Sequence, residues 1–208
     1  MEYKMITPIQ ELEYSAGIIS QSFWFIEFKK LVRLIAGGQS DEEIKTECVD
    51  NNLFGAPKEY RAKRMYGYLW KRAQMMDEDL VELFMESDLE TQKLINLIAI
   101  LRGDRLFFEF VYEVYREKSI IGQLALEDKD LNVFFSTKGN QSDLVENWNE
   151  STKKHLKSNY TGFLGESGLL RIEKKERTIT TPIVDDRLAR YLDRCGNHAL
   201  LVAIMGVV

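Results

Sequence analysis

Six cations lie between Lys58 and Arg72: Lys58, Arg61, Lys63, Arg64, Lys71 and Arg72. They stand against one carboxylate, Glu59, a local charge of +5 in a chain whose net charge is -5. Placed at about 100° per residue, Lys58, Arg61, Arg64, Tyr68, Lys71 and Arg72 share roughly 140° of arc. Ala62, Tyr66, Leu69, Trp70 and Ala73 fill the adjoining face. A helix with one packed side and one cationic side can lie along phosphates or in a major groove. Arg and Lys would neutralise phosphate there, and Tyr68 would reach sugar or base. The same residues also fit a solvated face, balanced by the acidic run Asp77, Glu78, Asp79, Glu82, Glu86, Asp88 and Glu90.

A second cationic group is C-terminal. Lys153, Lys154 and Lys157 flank an apolar stripe of Leu156, Tyr160 and Phe163, and Arg171, Lys174, Lys175 and Arg177 cluster around a turn between two short β-like segments. From Ser151 to Arg177 seven cations oppose three carboxylates. Such a hairpin can lie along a DNA backbone or minor groove. Lysines that protect a sheet edge from pairing with other chains would give the same pattern.

Catalytic chemistry finds little support. The histidines, His155 and His198, sit in no metal-ligand spacing. Gly162, Gly165 and Gly168 are followed by no Gly-Lys-Ser/Thr, so they do not form a phosphate-binding loop. Glu173-Lys174-Lys175 has the acid-x-lysine form of some metal-dependent nucleases, but no upstream strand offers the aspartate that such a site needs. We therefore expect no catalytic residue, no metal and no cofactor. Phe23, Trp24, Phe25 and Phe28, and Phe107, Phe108, Phe110 and Tyr112, fall at helical spacing and are expected in the core.

The elements that must position these cations are mostly helical. Pro is rare at 3 and Gly modest at 13 in 208 residues, too little turn chemistry for an all-β fold. Helical periodicity runs from Ser22 to Ala36, from a Ser40 cap to about Asn51, and from Pro57 to about Met76. Further helices open at Asp77, at Ser87 or Asp88, and at Asp104. The pattern breaks at Gly122–Leu126, which divides the chain into residues 1–122 and 123–208. A short helix is expected over Glu127–Thr137, a loop at STKGNQSD, a helix over Glu150–Glu166, strands at Leu169–Glu173 and Arg177–Thr181, and a last helix over Asp185–Cys195. The fold class is thus mainly α: a helical bundle, its N-terminal half helix-turn-helix-like, its C-terminal part winged-helix-like with one short β-hairpin.

Cys48 and Cys195 lie far apart in sequence, the stretch MEYKMITPIQELEY lacks an apolar signal region, and the tail ALLVAIMGVV is half the length of a membrane helix of about 20 residues. These features predict a cytoplasmic protein with no membrane span, the tail packing at home or on a partner, with peripheral membrane contact as the alternative.

YSAGIISQSFWFIEFKKLVRLIAGG, then DEEIKTECVDNNLF and the basic helix, DRLFFEFVYEVYREKSI, and WNESTKKHLKSNYTGFLGESGLL occur in an order that resembles the BrxA proteins of bacterial BREX phage-defence systems. The likeness runs from Tyr14 to Gly196. It implies a small, non-enzymatic helical protein with a fold likened to the NusB antitermination factor, DNA binding, and a role beside the BREX methyltransferase and ATPase. The expectation is a duplex-DNA-binding accessory protein. The alternatives are an adaptor that docks partners through its acidic run and apolar tail, an RNA-binding antitermination-like module, and a metal-dependent nuclease.

Overall fold

Short polar residues start the helices where the sequence places them. In the computed structural model, which describes residues 8–206, the Ser40 hydroxyl accepts the Glu43 amide while the Glu43 carboxylate accepts the Ser40 amide at 2.8 Å. This reciprocal cap opens α2 (Asp41–Val49), directly after α1 (Phe25–Ala36). Asp77, Asp88 and Asp104 accept the amides of Leu80, Thr91 and Phe107 at 2.8–2.9 Å, and so open α4 (Glu78–Glu86), α5 (Leu89–Gly103) and α6 (Arg105–Phe110). Between α2 and α4 lies α3 (Glu59–Ala73). Residues 1–7, part of the stretch that lacks an apolar signal region, and Val207 and Val208 of the apolar tail lie outside the described residues.

α5 is buried on every side from Leu94 to Arg102, and α1, α3, α4 and α6 pack on it. The run expected as one helix from Asp104 is α6, a π-helical turn (Val111–Tyr115) and α7 (Arg116–Ile120). Next come α8 (Asp128–Gln141), α9 (Asp143–Glu146) and α10 (Glu150–Glu166). Strands β1 (Leu170–Glu173) and β2 (Glu176–Ile179) pair antiparallel, with Leu170 opposite Ile179 and Glu173 opposite Glu176. The chain ends with α11 (Asp186–Arg194) and α12 (His198–Met205). Among the described residues the architecture is mainly helical with a single hairpin, as expected.

Three local expectations change. STKGNQSD is mostly helix, not loop, because Lys138 is buried and its ammonium lies 2.6 Å from both Glu109 and Glu113. Tertiary charge pairing holds α8 helical through Gly139 and Asn140, whose propensities oppose it. The break at Gly122–Leu126 is tied to the hairpin: Leu126 donates to Arg177 O at 2.9 Å, and Ile179 donates to Leu124 O at 2.7 Å. Aromatic rings join residues 1–122 to 123–208 in one core, with Phe107 stacked on Tyr160 at 4.6 Å and Phe110 edge-on to Phe134 at 5.2 Å. The α2–α3 connection spans residues 50–58, longer than the roughly three to four residues of a helix-turn-helix. Its shape is held by Asn52 at φ 49°, whose side chain bonds the Ala56 amide and carbonyl.

Most of the apolar tail is core. Leu200, Leu201, Ala203 and Ile204 are buried where α12 packs on α7, α11 and the π turn. Among the described residues, no helix is long and apolar enough to cross a membrane.

Candidate nucleic-acid interface

α3 is positioned by its apolar face. Ala62, Leu69 and Ala73 are buried where it meets α1, α2 and α5. The opposite face carries Lys58, Arg61, Arg64 and Lys71, and Lys63 lies outside that arc, beside Trp70; all five cations are exposed. Lys63 is paired with Glu59 at 2.6 Å, which raises its own pKa and lowers that of Glu59. Among the described residues no carboxylate pairs with Lys58, Arg61, Arg64 or Lys71. The Arg61 Nε donates to the Tyr60 hydroxyl at 3.3 Å, and that cationic contact lowers the Tyr60 pKa. The result is one helix face with four unpaired positive charges, spread over about four turns.

Arg72 is not on that face. It is buried at 4% exposure and donates to Phe23 O at 2.6 Å, Asn96 Oδ1 at 3.1 Å, Ser22 O at 3.1 Å and Gln21 Oε1 at 3.3 Å. The guanidinium also lies over the Phe28 ring, and burial pushes its pKa down. On the helical projection Arg72 borders the Leu69 side of the cationic arc, and residues 21–23 close over that edge. It ties the chain before α1 to α3 and α5. Tyr68 is half-buried, its ring stacked on Trp24 at 6.2 Å.

The C-terminal cations divide. Lys154, Lys174 and Lys175 are exposed, and among the described residues none has an ion-pair partner. Lys174 takes φ 57° in the two-residue turn, a left-handed conformation that costs an ordinary side chain roughly 1–2 kcal/mol and that Asn or Gly fills more readily. The others are engaged within the chain. Lys153 reaches the Glu146 carbonyl at 3.3 Å and Glu150 at 3.7 Å. Lys157 donates to Asn132 at 2.6 Å over the Phe135 ring, Arg171 pairs with Glu173 at 3.4 Å, and Arg177 pairs with Asp128. The hairpin and α10 pack together, so Lys154 and the turn lysines belong to one C-terminal unit.

The histidines serve local bonds: the His155 ring lies 2.7 Å from Ser151 O and the His198 ring 2.7 Å from Asp193. Among the described residues, no group of three or more His, Cys, Asp or Glu side chains could hold a metal ion.

Sequence reasoning missed Trp24 as part of this region. Its spacing groups it with the core aromatics, yet it stands at φ 45° just before α1, half-buried and against Tyr68. Beside Tyr68 and Lys71 lies a cavity of about 330 Å³, lined also by Ser15, Ile18 and Gln21. α10 holds that segment through Asn159, which donates to Ile18 O at 2.8 Å and Gln21 O at 3.1 Å. Only a left-handed tryptophan signals the arrangement, and sequence does not reveal a φ.

Comparison with known proteins identifies the family and the fold. A family model described as BrxA matches residues 12–196. The BREX protein BrxA of Bacillus cereus (strain H3081.97) is 32% identical over 198 residues, covering 95% of this chain and 99% of that one. An uncharacterized protein from Magnetospirillum magneticum, known from its crystal structure, superposes with a TM-score of 0.78 at 18% identity, covering 94% of this chain and 100% of that one.

Proposed function

The chain belongs to the BrxA family of BREX proteins, and from that membership, which implies a role in phage defence, we propose that it is a non-enzymatic accessory protein that binds duplex DNA. The observation that carries this reading is the outward face of α3, where Lys58, Arg61, Arg64 and Lys71 stand exposed without carboxylate partners among the described residues. Unpaired cations along one helix are what a phosphate backbone takes up, releasing its condensed counterions. Lys154, Lys174 and Lys175 form a smaller second contact, and the engaged Lys153, Lys157, Arg171 and Arg177 contribute less. Phosphate contacts dominate, so sequence preference is weak. The other BREX components, the methyltransferase and ATPase among them, are its protein partners.

The test is fluorescence anisotropy with a short labelled duplex, competed by unlabelled duplex or by single-stranded RNA, with and without Mg²⁺. Duplex DNA should bind and compete best, and the label should stay intact. Preferential competition by RNA would favour the antitermination-like reading, and cleavage with Mg²⁺ would overturn the non-enzymatic one.

A further inference from the structure

The strongest surface outside the basic helix has the opposite sign. The C-terminal turn of α1, the start of α2 and the length of α4 enclose an open trough of about 740 Å³. Its floor is apolar: Ile35, Ile44, Val81 and Met85, the last 39% exposed. Its rim is acidic: Asp41, Glu43, Glu78, Glu82 and Glu86, with no Lys or Arg among the lining residues. Glu43 belongs to the α2 cap and Glu86 meets Arg187 at 3.1 Å, while Asp41, Glu78 and Glu82 have no ion-pair partner among the described residues.

Glu78, Glu82 and Glu86 repeat at i, i+4 and i+8 along α4, a row of about 12 Å. Like charges at that spacing destabilise a helix by roughly 0.2–0.5 kcal/mol per pair when nothing offsets them. We propose that this trough docks a cationic amphipathic helix of a partner protein. The partner's apolar stripe would lie on Val81 and Met85, and its Lys or Arg residues, also at i and i+4, would meet the glutamate row. Methionine suits such a floor because its unbranched side chain adapts to the shape laid on it. DNA is repelled by the rim. A second copy of this chain fits poorly, because the apolar side of its basic helix α3 is already packed inward. The proposal is independent of the DNA-binding reading.

The experiment uses the full chain and a labelled amphipathic peptide built from Leu-Lys-Lys-Leu repeats. Wild type should bind it, Glu78→Lys/Glu82→Lys should bind about tenfold more weakly or worse, and Met85→Gln should also weaken binding. Glu11→Lys/Glu13→Lys, an equal charge change at exposed residues elsewhere, should alter affinity by less than about twofold. A peptide with Glu in place of Lys should not bind. Equal loss in the distant variant would reduce the effect to general acidity and overturn the proposal, as would no loss in either. Sedimentation velocity covers the remaining occupant: dimers of wild type that the trough variant dissolves would make it a self-association site instead. Glu78 also complements the N-terminus of α4, so the Tm and far-UV circular dichroism of each variant are measured beside wild type, and weaker binding by a variant that is still fully folded at the assay temperature separates lost docking from lost folding.

Discussion

The salt dependence of DNA binding tests the α3 face most directly. If Lys58, Arg61, Arg64 and Lys71 each displace one counterion, the slope of log K against log salt is about -3.6. Affinity then falls about 150-fold between roughly 50 and 200 mM salt. Arg61→Ala/Arg64→Ala halves the number of contacts, so the slope becomes about -1.8 and the same change of salt costs only about 12-fold. Both side chains are exposed and bear no packing load, so stability should move by no more than about 0.5 kcal/mol. The net charge of -5 does not cancel the attraction, because at about 0.1 M salt charges more than roughly 10 Å away are screened. If Lys154, Lys174 and Lys175 reach the same duplex, the wild-type slope steepens to about -6.3, and Lys174→Ala/Lys175→Ala lowers it by about 1.8. The assay is anisotropy titration at four or more salt concentrations. A wild-type slope near zero, or an unchanged slope in the Arg61/Arg64 variant, would refute the assignment of phosphate contacts to α3.

Three further outcomes follow from buried groups. Arg72→Ala removes the donor to Ser22 O and one of the two donors to Phe23 O, which keeps Asn96, so chemical denaturation should show a loss of about 3 kcal/mol. A nearly unchanged stability combined with lost DNA affinity would put Arg72 back on the binding face. The Asp104 carboxyl is pushed up to about 7 by burial, against an unfolded value near 3.9. The folded state therefore keeps a proton that the unfolded state has released between about pH 4 and 7. Stability should fall across that window by up to about 1.4 kcal/mol per pH unit and level off above it. Asp104→Asn retains an acceptor for the Phe107 amide, so it should exceed wild type in Tm at pH 8 and converge with it near pH 4; parallel pH profiles would contradict the burial argument. Leu200→Ala should cost about 2–5 kcal/mol, and deletion of α12 should unfold the chain instead of merely detaching a partner, as read by circular dichroism on heating.

Helix starts were legible because one side chain makes each: Ser40, Asp77, Asp88 and Asp104 each bond an amide three residues on. The hairpin was legible from its charged turn and flanking strands. What was not legible depends on contacts distant in sequence. Lys138 looks like a surface residue of a loop until Glu109 and Glu113, on another helix, bury it. Gly122–Leu126 looks like a linker until its backbone pairs with β2. The helical projection placed Arg72 correctly on α3 but could not show that residues 21–23 cross over it. It likewise could not distinguish the free Lys154 from Lys153 and Lys157, since that difference lies in Glu146, Glu150 and Asn132.

The net charge hides a segregation that matters more than its value. Residues 58–72 contribute +5, and the seven carboxylates from Asp77 to Glu90, followed only by Lys93, form the acidic counterpart. α3 and α4, which carry most of these charges, rest on α1 and α5, and Asp88 and Glu90 belong to the start of α5 itself. α1 and α5 thus form a shared base for the two charged helices, and α11 sets Arg187 and Arg194 against Glu86 and Asp79 of the acidic one. An approaching polyanion is drawn to α3 and turned away from α4, so the field orients the encounter as well as accelerating it. On the proposed reading, the same segregation would keep a cationic protein segment from competing for the α3 face, because its favourable surface would be the α4 trough. Two ligands of opposite charge would then occupy one small protein together. A protein with the same net charge spread evenly would bind neither well. Occupancy of the trough by the Leu-Lys peptide should therefore leave the DNA salt slope unchanged, and a peptide that displaces DNA in proportion to its own binding would show that the two surfaces are one.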